Sequence, residues 1–375
     1  MACADATPLG PLGIVTDSGS WTYVPGDGTV TIAEGVLDSS RTVAKLSDQS
    51  FAELAADLDT PVAMLYGNRA EVIKGNPLRF IRWEPALRAM FHGRPIYDAA
   101  SIDLRDLDGE PIDPAHAFTM AALADRPEAV AHQLSTVGYV VVKGMFGVDE
   151  TAALLREVEG LRAAAQPGDG RSWWGRTAAG EAVVTRVLNG VTRPTLQALY
   201  DDHRIRALVD ATGLELRSAY RNDVDGVTAL WKIPDMAEGL ADLPWHRDCG
   251  MGGHAANCPT LVMTICLTDG SPQAGELRAL PGSHLTSHPF IDGNAPGAPT
   301  GVAFAVTAGD VSLHDGDVMH VSLPPASADG PHRVSILLSF SRAGAVHHRG
   351  ERHYNDALLS NPDGQVEHLG RTLRR

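Results

Sequence analysis

From Leu214 onward the sequence changes to a period of two. Leu214–Tyr220, Thr228–Ile233, Thr260–Leu267, Glu276–Leu280, Val302–Val306, Val311–His314, Val318–Ser322 and Val334–Phe340 are short runs rich in β-branched and apolar residues, separated by Gly, Pro and Asp. Alternation at that period marks strands whose successive side chains face opposite sides. About eight short strands at such spacing predict a double-sheet jelly roll. Helical spacing lies upstream, in Pro127–Thr136 and from Asp149 to near Ala165, where Leu154, Leu155, Val158 and Leu161 share one side. Between them Gly138 and Gly144 bound a strand. Gln166–Arg176 is expected as a loop carrying Trp173 and Trp174, with short helices at Pro194–Tyr200 and Arg204–Val209. The helices are expected to pack outside the strands, in an α+β fold.

Within this region Pro244-Trp245-His246-Arg247-Asp248 sets an imidazole and a carboxylate two residues apart. On an extended strand they share a face and reach one metal ion. A lone His-x-Asp is common by chance, and its plain alternative is a solvated loop. His320, in Asp317-Val318-Met319-His320-Val321-Ser322, supplies a second imidazole, and Arg333 follows thirteen residues later. Two His and one carboxylate with open positions form the facial arrangement of non-haem Fe(II) oxygenases. Pairing of the strands that carry His320 and Arg333 would bring both into one cavity. A buried Arg calls for an acidic partner, which a 2-oxo diacid supplies. Ser322 has the strand parity of His320 and is placed to bond the same carboxylate. Lys232 either faces that co-substrate or snorkels from a strand end. Trp173, Trp174 and Arg221 are candidate substrate contacts, with His254 in the loop after the ligand pair. His284 reads as a turn residue, His314 as a packed strand residue, and Cys249 and Cys258 as pocket-wall or core residues.

Charge narrows the class of partner. The formal net charge of −15 disfavours nucleic acid and anionic membrane surfaces, whose binding needs positive charge. Four cysteines, Cys3, Cys249, Cys258 and Cys266, show no C-x-x-C spacing and no disulfide scaffold. Neither a signal peptide nor an apolar run long enough for a membrane span is found. The expectation is a cytoplasmic enzyme acting on a small molecule.

The first third differs in texture. Residues 1–19 are rich in Gly, Pro and Ser and are expected to be irregular. Two short strands surround the turn Pro25-Gly26-Asp27-Gly28, Arg41–Leu46 reads as a third, and helices are expected at Phe51–Leu58 and Pro77–Phe91. A linker dense in Asp, Pro and Gly runs from about His92 to Ala115. The expected division is an N-terminal α+β domain with linker at 1–115, a catalytic domain at 116–343 and a polar tail at 344–375. Residues 20–92, with "LSDQSFAELAADLDTPVAMLYGNRAEVIKGNPLRF" between a strand pair and a closing helix, loosely resemble the sterol-carrier lipid-binding fold. The plainer alternatives are an extension packed on the catalytic domain and a dimerisation arm.

Over residues 128–342 the chain is similar to the phytanoyl-CoA dioxygenase family of Fe(II)/2-oxoglutarate oxygenases. The likeness is carried in order by "GYVVVKGMFGVDETAALLREVEGL", "LWKIPDMAEGLADLPWHRD", "GELRALPGSH", "AGDVSLHDGDVMHVSLPP" and "HRVSILLSF". It implies a double-stranded β-helix (jelly roll) core with flanking helices, iron ligands His246, Asp248 and His320, and Ser322 and Arg333 on the distal carboxylate of 2-oxoglutarate. Fe(II), 2-oxoglutarate and O2 would then oxidise a substrate C–H bond, releasing succinate and CO2. Halogenases of this superfamily carry a small residue at the carboxylate position, so Asp248 implies hydroxylation, with desaturation or ring closure open to the same triad. Two rivals stand beside this reading. A lipid or acyl-CoA carrier with a vestigial oxygenase domain would follow from the N-terminal block. A metal-dependent hydrolase or cupin-like isomerase would leave Arg333 unexplained.

Overall fold

The computed structural model describes residues 2–218, 226–249, 260–288, 291–343, 358–359 and 361–366. The alternating runs form a ten-stranded and a four-stranded sheet. The main path of the large sheet runs Met236–Glu238, Ser172–Thr177, Ala182–Val187, Val227–Trp231, Val334–Arg342, Thr260–Cys266, Val311–Asp315, Tyr139–Lys143, Ala117–Thr119, and Leu216–Ser218 pairs with Val334–Arg342 beside it. The small sheet runs Leu243–His246, His320–Ser322, Leu277–Ala279, Val302–Ala303, all antiparallel.

The two faces of the large sheet differ in chemistry. Leu261, Met263, Ile265, Val311, Leu313, Ile336 and Leu338 point to one side, where they pack with Val130, Leu134, Leu154, Val158, Ile205 and Leu208 of the helices Pro127–Val137, Val148–Ala164 and His203–Ala211. The alternate positions carry Thr264, Ser312, His314, Ser335, Ser339 and Ser341, on the side that Tyr139, Val141 and Cys266 share with Ala279 and Phe304. The Tyr139 and Phe304 rings are 4.6 Å apart. The fold is therefore α+β, with an apolar outer face under helices and a polar inner face toward the small sheet.

The N-terminal block is a separate five-stranded sheet in the order Thr29–Glu34, Ser20–Gly26, Leu12–Val15, Thr42–Leu46, Ala70–Lys74. Helices cover it through Met64, Phe80, Trp83, Ala86 and Leu87. Three expectations are corrected in the described residues. The segment 1–19 contains the helix Ala2–Ala6 and the central strand Leu12–Val15, because Leu12 and Ile14 are fully buried in the core and packing overrides a Gly/Pro-rich neighbourhood. Pro77–Phe91 is two helices, Pro77–Arg82 and Glu84–His92. Pro85 lacks the N–H that a continuous helix needs, and Trp83 at the break is fully buried with its Nε1 donating to Gly10 O at 3.2 Å. Trp173 and Trp174 lie on the strand Ser172–Thr177, not in a loop. Asp169 starts that strand by accepting the backbone N–H groups of Arg171 and Ser172 at 2.8 and 2.9 Å. Among the described residues no helix is long and apolar enough to cross a membrane.

The segment expected as a linker packs against the catalytic region, with Tyr97 N–H donating to Ser287 O at 2.8 Å. The helix Pro127–Val137 ends at Gly138 with φ 94°, a left-handed conformation that favours glycine. A Cβ there would lie 2.4 Å from Val318 Cγ2 and 2.6 Å from His284 Nδ1. Gly138→Ala is therefore expected to destabilise the protein by about 1–3 kcal/mol, measured by chemical denaturation. Unchanged stability would show that the Val318 and His284 contacts yield without cost.

Candidate metal centre

The small sheet sets the first pair of candidate ligands face to face. In the antiparallel pairing of Leu243–His246 with His320–Ser322, Leu243 opposes Ser322 and His246 opposes His320, with a register shift between the two pairs. Such a bulge re-aims the side chains beyond it. The two imidazole centroids lie 4.1 Å apart. Asp248 follows on the same face, its Oδ1 at 3.5 Å from His246 Nε2 and 3.8 Å from His320 Nε2. One donor atom from each of the three residues lies within 4.8 Å of the others.

The protons on the rings decide whether these donors suit a cation. His246 Nδ1 is 2.7 Å from Pro244 O, and His320 Nδ1 is 2.9 Å from Val318 O. A carbonyl only accepts, so Nδ1 carries the proton in both rings and Nε2 is left with its lone pair. His246 Nε2 is buried without a hydrogen-bond partner. Burial, and then the neighbouring His246, push the His320 pKa down to about 3, with Asp248 opposing in part. The ring is neutral at ordinary pH. Burial raises the Asp248 carboxyl, but the neighbouring imidazoles, His320 first and then His246 and His314, outweigh it and hold the group well below its usual range. Two lone pairs and an anionic oxygen converging without a proton between them fit a divalent metal.

His314 changes role from the expected packed residue. It is buried in Val311–Asp315, and its Nε2 lies 3.2 Å from Asp248 Oδ2. The carboxylate accepts, so His314 donates and leaves Oδ1 directed at the metal position, an outer contact that orients a ligand. The sequence signal was the parity of Ser312 and His314, two polar residues on the inner face of a strand buried along its whole length.

The co-substrate candidates assemble differently from the expectation. Arg333 precedes the strand Val334–Arg342 in the large sheet, while His320 opens a strand of the small sheet, and these two strands do not pair. Arg333 reaches across between the sheets and donates from Nη2 to Ser322 Oγ at 2.8 Å. Both residues are buried, and no carboxylate forms an ion pair with Arg333 among the described residues. Lys232 neither faces open space nor snorkels. Its ammonium donates to Ala241 O, Asp242 Oδ1 and Ser322 O at 2.9, 2.6 and 3.0 Å, tying the strand end to the peptide of Ser322. Burial pulls its pKa down to about 7, with Asp242 opposing and Arg333 adding to the fall.

Trp173 is buried with Leu188, Leu240, Leu358 and Val366, and the Arg186 guanidinium lies 4.2 Å from its ring centroid. Trp174 donates from Nε1 to Ser172 Oγ at 2.9 Å and is half-buried against the tail at Gly364. Arg186, which acts electrostatically on both Lys232 and Arg333, was not anticipated. Arg221, His254 and Cys258 lie outside the described residues. Cys249 is buried, as expected of a wall or core residue, and is disulfide-bonded. His284 sits in the turn Ser283–Leu285 with Nε2 2.9 Å from Ser135 O.

A family model described as phytanoyl-CoA dioxygenase (PhyH) matches residues 134–334. No curated protein matches the chain. Among solved structures, EvdMO1 is 23% identical over 58% of this chain and 50% of its own, with a TM-score of 0.45. The epimerase SnoN from nogalamycin biosynthesis is 24% identical over 63% of this chain and 87% of its own, at 0.49. AviO1 from Streptomyces viridochromogenes is 24% identical over 59% of this chain and 96% of its own, at 0.44. The match to EvdMO1 thus spans half of that protein's length.

If His314 orients Asp248, His314→Leu should weaken Co(II) or Fe(II) binding by roughly 10- to 100-fold with the fold retained. Anaerobic metal titration measures this, and wild-type affinity would return His314 to a packing role.

Proposed function

The chain belongs to the phytanoyl-CoA dioxygenase (PhyH) family, and from that premise we propose that it hydroxylates a C–H bond of a small organic, lipid-like or carrier-bound substrate. Its chemistry is Fe(II)- and 2-oxoglutarate-dependent oxidation at a centre of two histidines and one carboxylate. Iron, 2-oxoglutarate and O2 together supply the oxidising power, with succinate and CO2 as co-products.

What the chain contributes is position and charge. His246, Asp248 and His320 would hold the metal through Nε2, Oδ1 and Nε2, their tautomers set by Pro244 O and Val318 O. Arg333 and Ser322 would receive the distal carboxylate of 2-oxoglutarate. The observation that carries this reading is the buried Arg333 guanidinium, which meets a hydroxyl where a buried cation calls for an anion. Lys232 would act from behind, fixing the Ser322 peptide. Trp173 would contribute through Arg186, whose guanidinium it backs, and Trp174, Arg221 and His254 stay proposed as substrate-side residues. Asp248 at the carboxylate position favours hydroxylation. The two facing sheets of residues 116–343 are read as a double-stranded β-helix, flanked by the block at 1–115 and the tail at 344–375.

Anaerobic addition of Fe(II) and 2-oxoglutarate should raise a weak visible charge-transfer band, followed by succinate release once a substrate is found. Absence of the band with metal loaded would leave a lipid or acyl-CoA carrier as the leading reading. Asp248→Ala should abolish 2-oxoglutarate turnover with an unchanged circular dichroism spectrum, and wild-type turnover in it would sink the triad. Arg333→Met should raise the 2-oxoglutarate requirement roughly 10- to 100-fold, the worth of a hydrogen bond to a charged group. An unchanged requirement would assign the carboxylate to another residue.

A further inference from the structure

Behind the candidate ligands lies a second set of charges that the reaction does not use. Arg247 sits between His246 and Asp248, and on an extended segment it points away from them. Its guanidinium pairs with Glu84 of the helix Glu84–His92 and with Asp317 Oδ1. Asp317, only 1% exposed, offers its other oxygen to Arg88 of the same helix at 3.1 Å and to Arg94 just beyond it at 3.0 Å. Arg88 is held in turn by Asp57, with Nε and Nη2 at 3.2 and 3.0 Å from Oδ2. Three guanidinium groups and three carboxylates thus meet in the interior, four of the six from the N-terminal block.

Stability alone does not account for this arrangement. Removing that many charges from water costs free energy that their attraction recovers only in part, and buried ion pairs are frequently no better than apolar packing. Their best-attested use is to fix register. Here the two anchored points are well chosen for that. Arg247 is bonded directly to both first-segment ligands, and Asp317 precedes Val318, whose carbonyl holds His320 Nδ1. A shift of either anchor moves donor atoms at the metal position.

We propose that the N-terminal helix Glu84–His92 is a positioning element of the metal centre, with Glu84 and Arg88 setting the geometry of its ligands through Arg247 and Asp317. The inference rests on the metal-centre reading and gives the N-terminal block a part in it distinct from lipid carriage. Neither Glu84 nor Arg88 touches the metal position.

The test is anaerobic Co(II) titration of the full-length chain, followed by the visible ligand-field spectrum, on wild type, Glu84→Gln and Leu12→Ala. Leu12 is buried in the central strand of the N-terminal sheet, in the apolar core that holds Ala86 and Leu87, and is no member of the charge network, so Leu12→Ala reports on loosening of the block with every charge kept. Glu84→Gln should raise the Kd for Co(II) about tenfold, the lower end of the range for groups that orient ligands, and alter the spectrum. Glu84→Asp should recover part of that loss. Leu12→Ala should lower the melting temperature while keeping wild-type affinity and spectrum. If Glu84→Gln yields no folded protein, Arg88→Lys is read in the same way, since it keeps the charge but loses the fork joining Asp57 to Asp317. Wild-type Kd and spectrum in Glu84→Gln, or an equal loss in Leu12→Ala, would overturn the proposal. Failure of the wild type itself to bind Co(II) would instead overturn the metal-centre reading, and this inference with it.

Discussion

An imidazole binds a metal through a lone pair, and here two backbone carbonyls decide which nitrogen keeps it. Pro244 O and Val318 O each lie two residues before the histidine they face. Each lock is therefore made within a short extended segment, before any tertiary contact. Antiparallel pairing then sets His246 opposite His320, and the spacing to Asp248 puts the carboxylate on the same side. Without the carbonyl contacts the rings would be free to turn their protons inward, and the three donors would have no common cation to share.

That local device works only beside a wall that is polar toward the ligands and supported by apolar packing on its other side. The large sheet meets both needs by alternation. Leu313 and Val311 bind the strand to the helix layer, and Ser312 and His314 between them face inward. Thr264 and Ser335 follow the same rule on neighbouring strands. The helices outside are thus what permits hydroxyls and an imidazole inside, because the burial that holds the sheet is made on its outer face.

Much of this was legible without coordinates, and the exceptions have particular causes. His246, Asp248 and His320 stood out by residue type and spacing, and the helix-over-strand layering by period. Leu12–Val15 was hidden because its Gly and Pro neighbours report local propensity, while its burial depends on strands from elsewhere in the chain. His314 was passed over because its partner, Asp248, lies sixty-six residues away, a contact fixed only by how the sheets stack. The pairing of Arg88 with Asp317 spans 229 residues and leaves no trace in spacing or parity. Arg333 was found for a sound chemical reason and placed by the wrong geometry, since it comes to Ser322 across two sheets and not along a strand pair.

The interior holds two groups of charges that differ in their balance. Around Asp317 every guanidinium is answered by a carboxylate, and that group is complete within the chain. Around Ser322, Lys232 is answered by Asp242, while Arg333 donates to a neutral hydroxyl. Burial lowers the pKa of both cations, the Arg186 charge adds to the fall in each and Arg333 adds to that of Lys232, which is drawn down to about 7, while Asp242 opposes in both. A dicarboxylate entering beside Arg333 would supply the missing anion, restore Lys232 toward its ordinary pKa and, by binding only the folded chain, stabilise it. The first group holds the ligands' backbone from behind, and the second, on the function proposed above, would be finished by the carboxylate of the co-substrate.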